Sequence, residues 1–151
     1  MEQAASVQAA ADRLREDFGF LDDWRDKVEH IIDLGKRLPG LPDELKTEGN
    51  KVRGCQSQVW LVADMEPESG RLRLRADSDA ILVRGLIALL LDLYDGRRPA
   101  EILENPPDVL EEIGLQRFLT PGRANGLYAM VGRIRAMAEA YAASRPAATV
   151  G

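Results

Sequence analysis

The only thiol of this 151-residue chain belongs to Cys55, which stands in the run Gly54-Cys55-Gln56-Ser57-Gln58. Only a thiolate attacks sulfur efficiently, and a cysteine with an ordinary pKa of about 8.5 is a few per cent thiolate near neutral pH. The adjacent glycine permits a tight turn and close approach by the backbone of a partner. These features predict a reactive thiol at a loop tip. Free cysteine is also among the most buried residue types, so a purely structural thiol in the core is the alternative.

The sequence offers few residues for a metal site, a disulfide or acid–base catalysis. With one cysteine and one histidine, the chain lacks the roughly four ligands of a Cys/His zinc site, and it cannot form an internal disulfide, which fits a reducing cytosol. Helical geometry places His30 opposite the apolar stripe of its helix, so we expect it to be solvent-exposed and without function. The sequence contains no Gly-rich phosphate loop, Ser/His/Asp set or HExxH pattern.

Bulk composition narrows the classes of partner. The formal net charge of −5 and the pI of about 5.0 disfavour a nucleic-acid partner, since phosphates would repel this surface on average. The N-terminus lacks the basic and apolar regions of a signal peptide. The most apolar stretch, residues 80–94, is shorter than the ~20 residues of a membrane span and contains Arg84. We therefore expect a soluble, cytoplasmic protein.

Two helices are predicted before the cysteine. The first covers residues 4–18. The second begins after Asp22 and Asp23, which can cap it and complement its dipole, and it stops before Pro39. Its apolar stripe consists of Trp24, Val28, Ile31, Ile32, Gly35 and Leu38.

A β-hairpin is predicted directly after the cysteine, with strands at residues 57–65 and 71–76 and a turn at 66–70. The second strand alternates, so that the side chains of Arg71, Arg73 and Arg75 share one face. We expect that face to be exposed to solvent, and contact with an acidic partner is the alternative. Because two strands do not stand alone in water, covering helices or a third strand are required, and residues 51–53 are a short candidate.

Helices follow the hairpin. Residues 80–94 are apolar around nearly the whole circumference, which is typical of a buried central helix, with Gly96 closing it. Prolines then separate short helical pieces, and Thr120 caps a last helix that has Pro121 at its first position. We expect one α+β domain, a small antiparallel sheet packed with helices, over residues 1–143, and a disordered tail at 144–151.

The segment Val52-Arg53-Gly54-Cys55-Gln56-Ser57-Gln58-Val59-Trp60-Leu61 resembles the signature around the acceptor cysteine of the SufE/CsdE family of sulfur-acceptor proteins. Residues 31–39, 77–80, 83–88 and 119–127 resemble further blocks of that family in the same order, and together the resemblance covers about residues 24–137. The chain departs from the family at Ala76, where a glycine is usual, and at Gly122 and Ala124, where serines are common.

The resemblance implies a fold like that of SufE and IscU-type scaffolds, and a role as a persulfide carrier. Cys55 would receive sulfur from a pyridoxal-phosphate-dependent cysteine desulfurase of the SufS/CsdA kind, stimulate that enzyme, and pass the sulfur to a SufB-like scaffold for iron–sulfur cluster assembly. Such a carrier is not an enzyme by itself and holds no cofactor or metal. The resemblance also implies that the resting cysteine is tucked against an apolar pocket, which protects it from oxidation.

Several further residues acquire expected roles from the resemblance. A guanidinium at Arg123 near Cys55 would stabilise a thiolate or persulfide, although a solvated first-turn arginine is the ordinary alternative. Asp77 and Asp79 are explained by capping of the helix at residue 80, and the resemblance adds a role in holding the cysteine loop. The loop itself would be shaped by residues that also donate hydrogen bonds to sulfur or to the partner, namely Gly54, Gln56, Ser57 and Gln58.

Two other functions compete with the carrier. The chain would be a non-catalytic adaptor that docks on an enzyme if Cys55 were merely structural. A self-standing rhodanese-like sulfurtransferase is disfavoured, because no anion-cradling loop surrounds Cys55 beyond Gly54.

Overall fold

The computed structural model describes residues 6–117 and 119–143. Helices α1 (Val7–Gly19) and α2 (Trp24–Arg37) come first, and the 3-10 turns Asp43–Leu45 and Glu48–Asn50 follow. Strands β1 (Val59–Met65) and β2 (Leu72–Ser78) form an antiparallel hairpin. The chain continues through α3 (Ile81–Tyr94), α4 (Pro99–Glu104), α5 (Asp108–Glu112), a 3-10 turn (Leu115–Arg117) and α6 (Pro121–Ala143). The α+β prediction is confirmed. The predicted tail at 144–151 lies outside the described residues.

The second helix begins as predicted, because the Asp23 carboxylate accepts a hydrogen bond from the backbone N–H of Arg25. Its predicted apolar stripe is wrong at Trp24, which is 58% exposed. Burial is concentrated further along the helix, at Ile31 and Gly35, where α2 packs on α3. The expectation of a solvent-exposed His30 is also wrong. Its ring is half-buried and packs edge-on against Phe18 of α1, with 5.2 Å between the ring centroids.

Two glycines bring the backbones of α2 and α3 into direct contact. A Cβ atom on Gly35 would lie 2.7 Å from the backbone nitrogen of Gly85, and one on Gly85 would overlap the carbonyl of Ile31. Interiors are close-packed, so neither position has room for a side chain. This contact fixes α2, and the loop that follows it, relative to the start of α3.

The hairpin register pairs Val59 with Ser78 and Met65 with Leu72. The buried side of the sheet carries Val59, Leu61, Leu72, Leu74 and Ala76, as the alternation predicts. Residue 51 adds an isolated bridge to Trp60, so the predicted short partner at 51–53 is present as a bridge rather than as a strand.

The predicted wet face of β2 is confirmed for Arg73 and Arg75, which are both exposed. Arg73 lies 3.5 Å from the carboxylate of Asp95 and 3.9 Å from that of Glu66, so acidic groups of the chain itself face it. Arg71 is half-buried and donates a hydrogen bond to the carbonyl of Gly96.

Helix α3 is the buried centre of the domain, as its apolar circumference predicts, and Gly96 follows it in the left-handed region with φ of 77°. Helix α6 begins at Pro121, with the Thr120 hydroxyl accepting from the backbone N–H of Arg123, again as predicted. None of the helices within residues 6–117 and 119–143 combines the length and the apolar character that a bilayer crossing requires.

Candidate functional site

The cysteine lies on a short loop that is closed at its base. We define the Cys55 loop as residues 53–58. Its ends are joined by a hydrogen bond of 2.8 Å from the backbone N–H of Val52 to the carbonyl of Val59. Both of these valines are buried, whereas most of the loop between them is exposed. Gly54 has φ of +89°, in the left-handed region that favours glycine. The loop is therefore a defined turn on a fixed base.

The thiol of Cys55 is half-buried and docks against α6. Its Sγ donates to the carbonyl of Gly126 at 3.6 Å. Apolar side chains from β1, α3 and α6 line the same pocket, namely Val59, Val83, Leu86, Leu127 and Met130. Burial raises the pKa of the Cys55 thiol, because a thiolate is poorly solvated there. The docked cysteine is therefore a neutral thiol near neutral pH. It is neither an open nucleophile nor a fully buried core residue.

The loop rests on a face of α6 that has little side-chain bulk. Gly126 contacts the cysteine itself, and the end of the Gln56 side chain lies over Gly122. The Cβ of Ala129 would come within 3.5 Å of a Cβ atom built on Gly54. The sequence patterns predicted no site role for Gly126 or Ala129. Their spacing with Gly122 along one helix face was the signal that could have identified them.

Arg123 shares the pocket with Cys55, Gln56 and Ser57. It occupies the first turn of α6 and is exposed. The fold thus brings Arg123 to the cysteine from a segment 68 residues away in the sequence. In the docked state, burial dominates the pKa of the thiol.

Asp79 holds the end of the Cys55 loop. Its carboxylate accepts from the backbone N–H of Gln58 at 3.1 Å, and its own N–H donates to the Gln58 carbonyl at 3.3 Å. The prediction that Asp79 caps α3 is therefore wrong. The cap residue of α3 is Ala80, which makes no side-chain cap hydrogen bond, and the carboxylate serves the loop instead.

The capping prediction is also wrong for Asp77, which lies in β2 and is 4% exposed. Its carboxylate accepts hydrogen bonds from the N–H groups of Leu41 and Ser78, at 3.1 and 2.8 Å. It also pairs with Arg84, and with Lys46 at 3.4 Å. We call Asp77, Arg84 and Lys46 the carboxylate cluster. Burial by itself would raise the pKa of Asp77, but the two backbone hydrogen bonds and the two cations together lower it.

The carboxylate cluster connects the loop after α2 to the start of α3. Arg84 donates further hydrogen bonds to the carbonyls of Gly35 and Leu38, at 3.2 and 2.7 Å. The 38–46 segment is thereby fixed against the outer end of β2. Since Asp77 and Asp79 are two residues apart, the cluster also fixes the residue that holds Gln58. The sequence patterns did not identify Arg84 or Lys46 in this role.

Arg133 of α6 fixes the chain just before the loop. Its guanidinium donates to the carbonyls of Lys51 and Gly49, at 3.2 and 3.1 Å. The segment that leads into the Cys55 loop is therefore attached to the same helix on which the loop tip rests. Within residues 6–117 and 119–143, no group of three or more His, Cys, Asp or Glu side chains is arranged to hold a metal ion.

The fold has a close counterpart among solved structures. It matches the solution structure of a hypothetical protein from Thermus thermophilus with a TM-score of 0.73 and 26% sequence identity, over 89% of this chain and 96% of that one. The protein therefore belongs to the class of small α+β domains with this fold. In this chain the Cys55 loop packs on the last helix.

The sequence comparisons identify the family. The SufE family, described as an Fe-S metabolism associated domain, matches residues 12–138. A SufE-like protein of Rhizobium meliloti is 44% identical over 131 residues, which are 85% of this chain and 94% of the relative. One of Rhizobium etli is 45% identical over 139 residues, 90% of this chain and 94% of the relative. The chain belongs to the SufE family, and its general role lies in Fe–S metabolism.

Replacing Asp77 by Asn tests the carboxylate cluster. Because the folded-state pKa of Asp77 lies below its unfolded value, the carboxylate stabilises the fold above the unfolded pKa, and this stability is lost as pH falls through the folded pKa. Asp77→Asn should therefore lower the free energy of unfolding at pH 7 by ~3 kcal/mol, the scale for breaking a buried pair. Urea denaturation from pH 7 down to pH 3 measures this, and the difference from wild type should shrink at the acid end. A difference that did not change with pH would contradict the assignment.

Proposed function

We propose that this protein is a sulfur carrier that accepts persulfide sulfur from a cysteine desulfurase on Cys55. The observation that carries the proposal is the setting of the thiol, which is docked on Gly126 at the tip of a loop with a closed base. A thiol placed in this way is shielded at rest and becomes accessible through a local movement. The donor would be a pyridoxal-phosphate-dependent desulfurase of the SufS/CsdA kind, and the receiver a SufB-like iron–sulfur scaffold. A cytoplasmic location follows from this pairing.

The transfer step is a thiol–persulfide exchange. Cys55 first loses its proton to solvent. The thiolate then attacks the outer sulfur of the desulfurase persulfide, so that a bond forms between Sγ and that sulfur while the bond to the desulfurase cysteine breaks. The desulfurase thiolate leaves and takes up a proton. No net oxidation or reduction occurs. In the second exchange a thiolate of the scaffold attacks the outer sulfur of the Cys55 persulfide, and Cys55 leaves as a thiolate. Removing the persulfide frees the desulfurase for its next turnover, which accounts for stimulation.

Local movement of the loop reconciles protection with reactivity. In the docked state, burial raises the pKa of the Cys55 thiol, so little thiolate exists and oxidation is slow. Undocking returns the sulfur to solvent and restores an ordinary pKa. The Val52–Val59 hydrogen bond closes the loop below the moving part, so undocking of residues 54–56 leaves the hairpin intact. Asp79 bounds the movement at Gln58.

Arg123 supports the charged forms of the sulfur. Arg123 lines the Cys55 pocket and is exposed, which supports this role, because its guanidinium is a permanent cation. A guanidinium stabilises such an anion by charge and by hydrogen bonding. The carrier has no substrate turnover of its own and functions only together with its partners.

Mass spectrometry after incubation with a cysteine desulfurase and cysteine tests the carrier function. Cys55 should gain one sulfur, ~32 Da, and lose it on addition of a thiol reductant, as persulfides do. Cys55→Ser should gain no mass, and it should fail to stimulate the release of alanine from cysteine by the desulfurase when a thiol reductant is supplied.

The competing function is a non-catalytic adaptor that activates the desulfurase by binding alone. Full stimulation of alanine release by Cys55→Ser, under the same conditions with a thiol reductant, would establish the adaptor and contradict the carrier. Binding of Cys55→Ser to the desulfurase with wild-type affinity is the matched control, since it separates loss of the thiol from loss of docking.

Arg123→Ala should slow the appearance of the Cys55 persulfide about tenfold, since a hydrogen bond to a charged group contributes ~1.5–3 kcal/mol. Arg123→Lys, which keeps the charge but not the planar fork, should recover part of the rate. Rapid-quench mass spectrometry at saturating desulfurase measures the transfer, and circular dichroism checks the fold. If Arg123→Ala transferred sulfur at the wild-type rate, Arg123 would have no role in the transfer.

A further inference from the structure

The Gln56 side chain packs directly on Gly122 of α6. Gly122 is the second residue of α6, and its φ is not positive. A Cβ atom there would overlap all three atoms of the Gln56 carboxamide, namely Cδ, Oε1 and Nε2. Glycine is an unfavourable residue in helices. The lack of a side chain at this position leaves room for the carboxamide that rests on it.

The next glycine on the same face receives the neighbouring residue of the loop. Gly126 lies four positions further along α6, and a Cβ atom there would lie 3.4 Å from the Cys55 Sγ and 3.7 Å from its Cα. Residues four apart in a helix lie one above the other. Gly122 and Gly126, which we call the glycine seat, therefore receive the consecutive residues Gln56 and Cys55. Gly132 of the same helix has nothing within 4 Å of its Cβ position.

We propose that Gly122 and Gln56 are positioning residues for the sulfur-transfer reaction, and that packing of the Gln56 carboxamide on Gly122 holds the Cys55 loop closed. The inference rests on the proposed function, because it assigns to this contact the control of access to the reacting thiol. Gln56 is the residue next to the cysteine, so the contact of its side chain with Gly122 adds to the docking of Cys55 on Gly126. The two glycines differ, since a methyl group at Gly122 would displace the Gln56 carboxamide, whereas one at Gly126 would make ordinary van der Waals contact with Cys55.

Alkylation of Cys55 by iodoacetamide, without any desulfurase, measures the open fraction of the loop directly. Gly122→Ala should react about fivefold faster than wild type at pH 7.5, which corresponds to ~1 kcal/mol of lost docking free energy. Gly132→Ala, on the same helix with open space around it, should react at the wild-type rate. Gly126→Ala should react no faster than wild type, since its methyl group would lie against the sulfur. Circular dichroism and thermal melting establish that each variant is folded.

A double-mutant cycle identifies the partner of Gly122. Gln56→Ala alone should also accelerate alkylation, because it removes the group that rests on the seat. In that background Gly122→Ala should add nothing, as expected for two residues that act through one contact. If Gly122→Ala fails to fold, Gln56→Ala still decides the matter. Wild-type reactivity of Gln56→Ala and Gly122→Ala would overturn the proposal, and so would full additivity in the double variant.

The assay separates this inference from the proposed function. Faster alkylation of Gly122→Ala, together with no persulfide on Cys55, would support the role of the glycine seat and contradict the carrier function. Normal persulfide formation, together with an unchanged alkylation rate in Gly122→Ala, would support the carrier function and contradict the role of the glycine seat. With both correct, Gly122→Ala should acquire sulfur from the desulfurase faster than wild type, and its free thiol should also be lost to oxidation faster.

Discussion

The proposed chemistry depends on a thiol whose loop is held at two fixed ends and docked only at its tip. The Val52–Val59 hydrogen bond and the paired hydrogen bonds between Asp79 and Gln58 define where the Cys55 loop starts and stops. Between them the cysteine rests on Gly126 through one long sulfur hydrogen bond and apolar contacts. Because hydrogen bonds hold both ends of the loop, the tip can open and expose the sulfur while the ends stay in place. Local openings of this kind cost far less than global unfolding.

The rest of the domain keeps those ends in place. The glycine contact between α2 and α3 fixes the helices that carry Arg84 and the 38–46 segment. The carboxylate cluster then ties this segment to β2, so that Asp79 is presented to Gln58 by a buried network. A buried ion pair is weak evidence for stability, but a fully satisfied one specifies a single arrangement. Here the network holds the 38–46 segment against β2, and so it fixes the position of Asp79, which binds Gln58 of the Cys55 loop.

Local patterns in the sequence predicted most of the fold. Caps, alternation and proline positions gave the helices and the hairpin within a few residues, and the resemblance around Cys55 gave the family, which the comparisons confirm. What failed depended on long-range contacts. Asp77 stands on the outward side of β2 and becomes buried only because the distant 38–46 segment covers it. Trp24 fits the apolar period of α2, but α2 meets α3 further along.

The pH dependence of Cys55 alkylation tests the docked thiol most directly. The rate is measured from pH 6 to pH 10 on the folded protein and on the same chain in urea, where the cysteine should titrate near its ordinary pKa of about 8.5. Because burial raises the pKa in the docked state, the folded protein should react more slowly at pH 7, and its midpoint should lie at higher pH than that of the unfolded chain. A folded-state midpoint equal to or below the unfolded one would contradict the docked, shielded thiol.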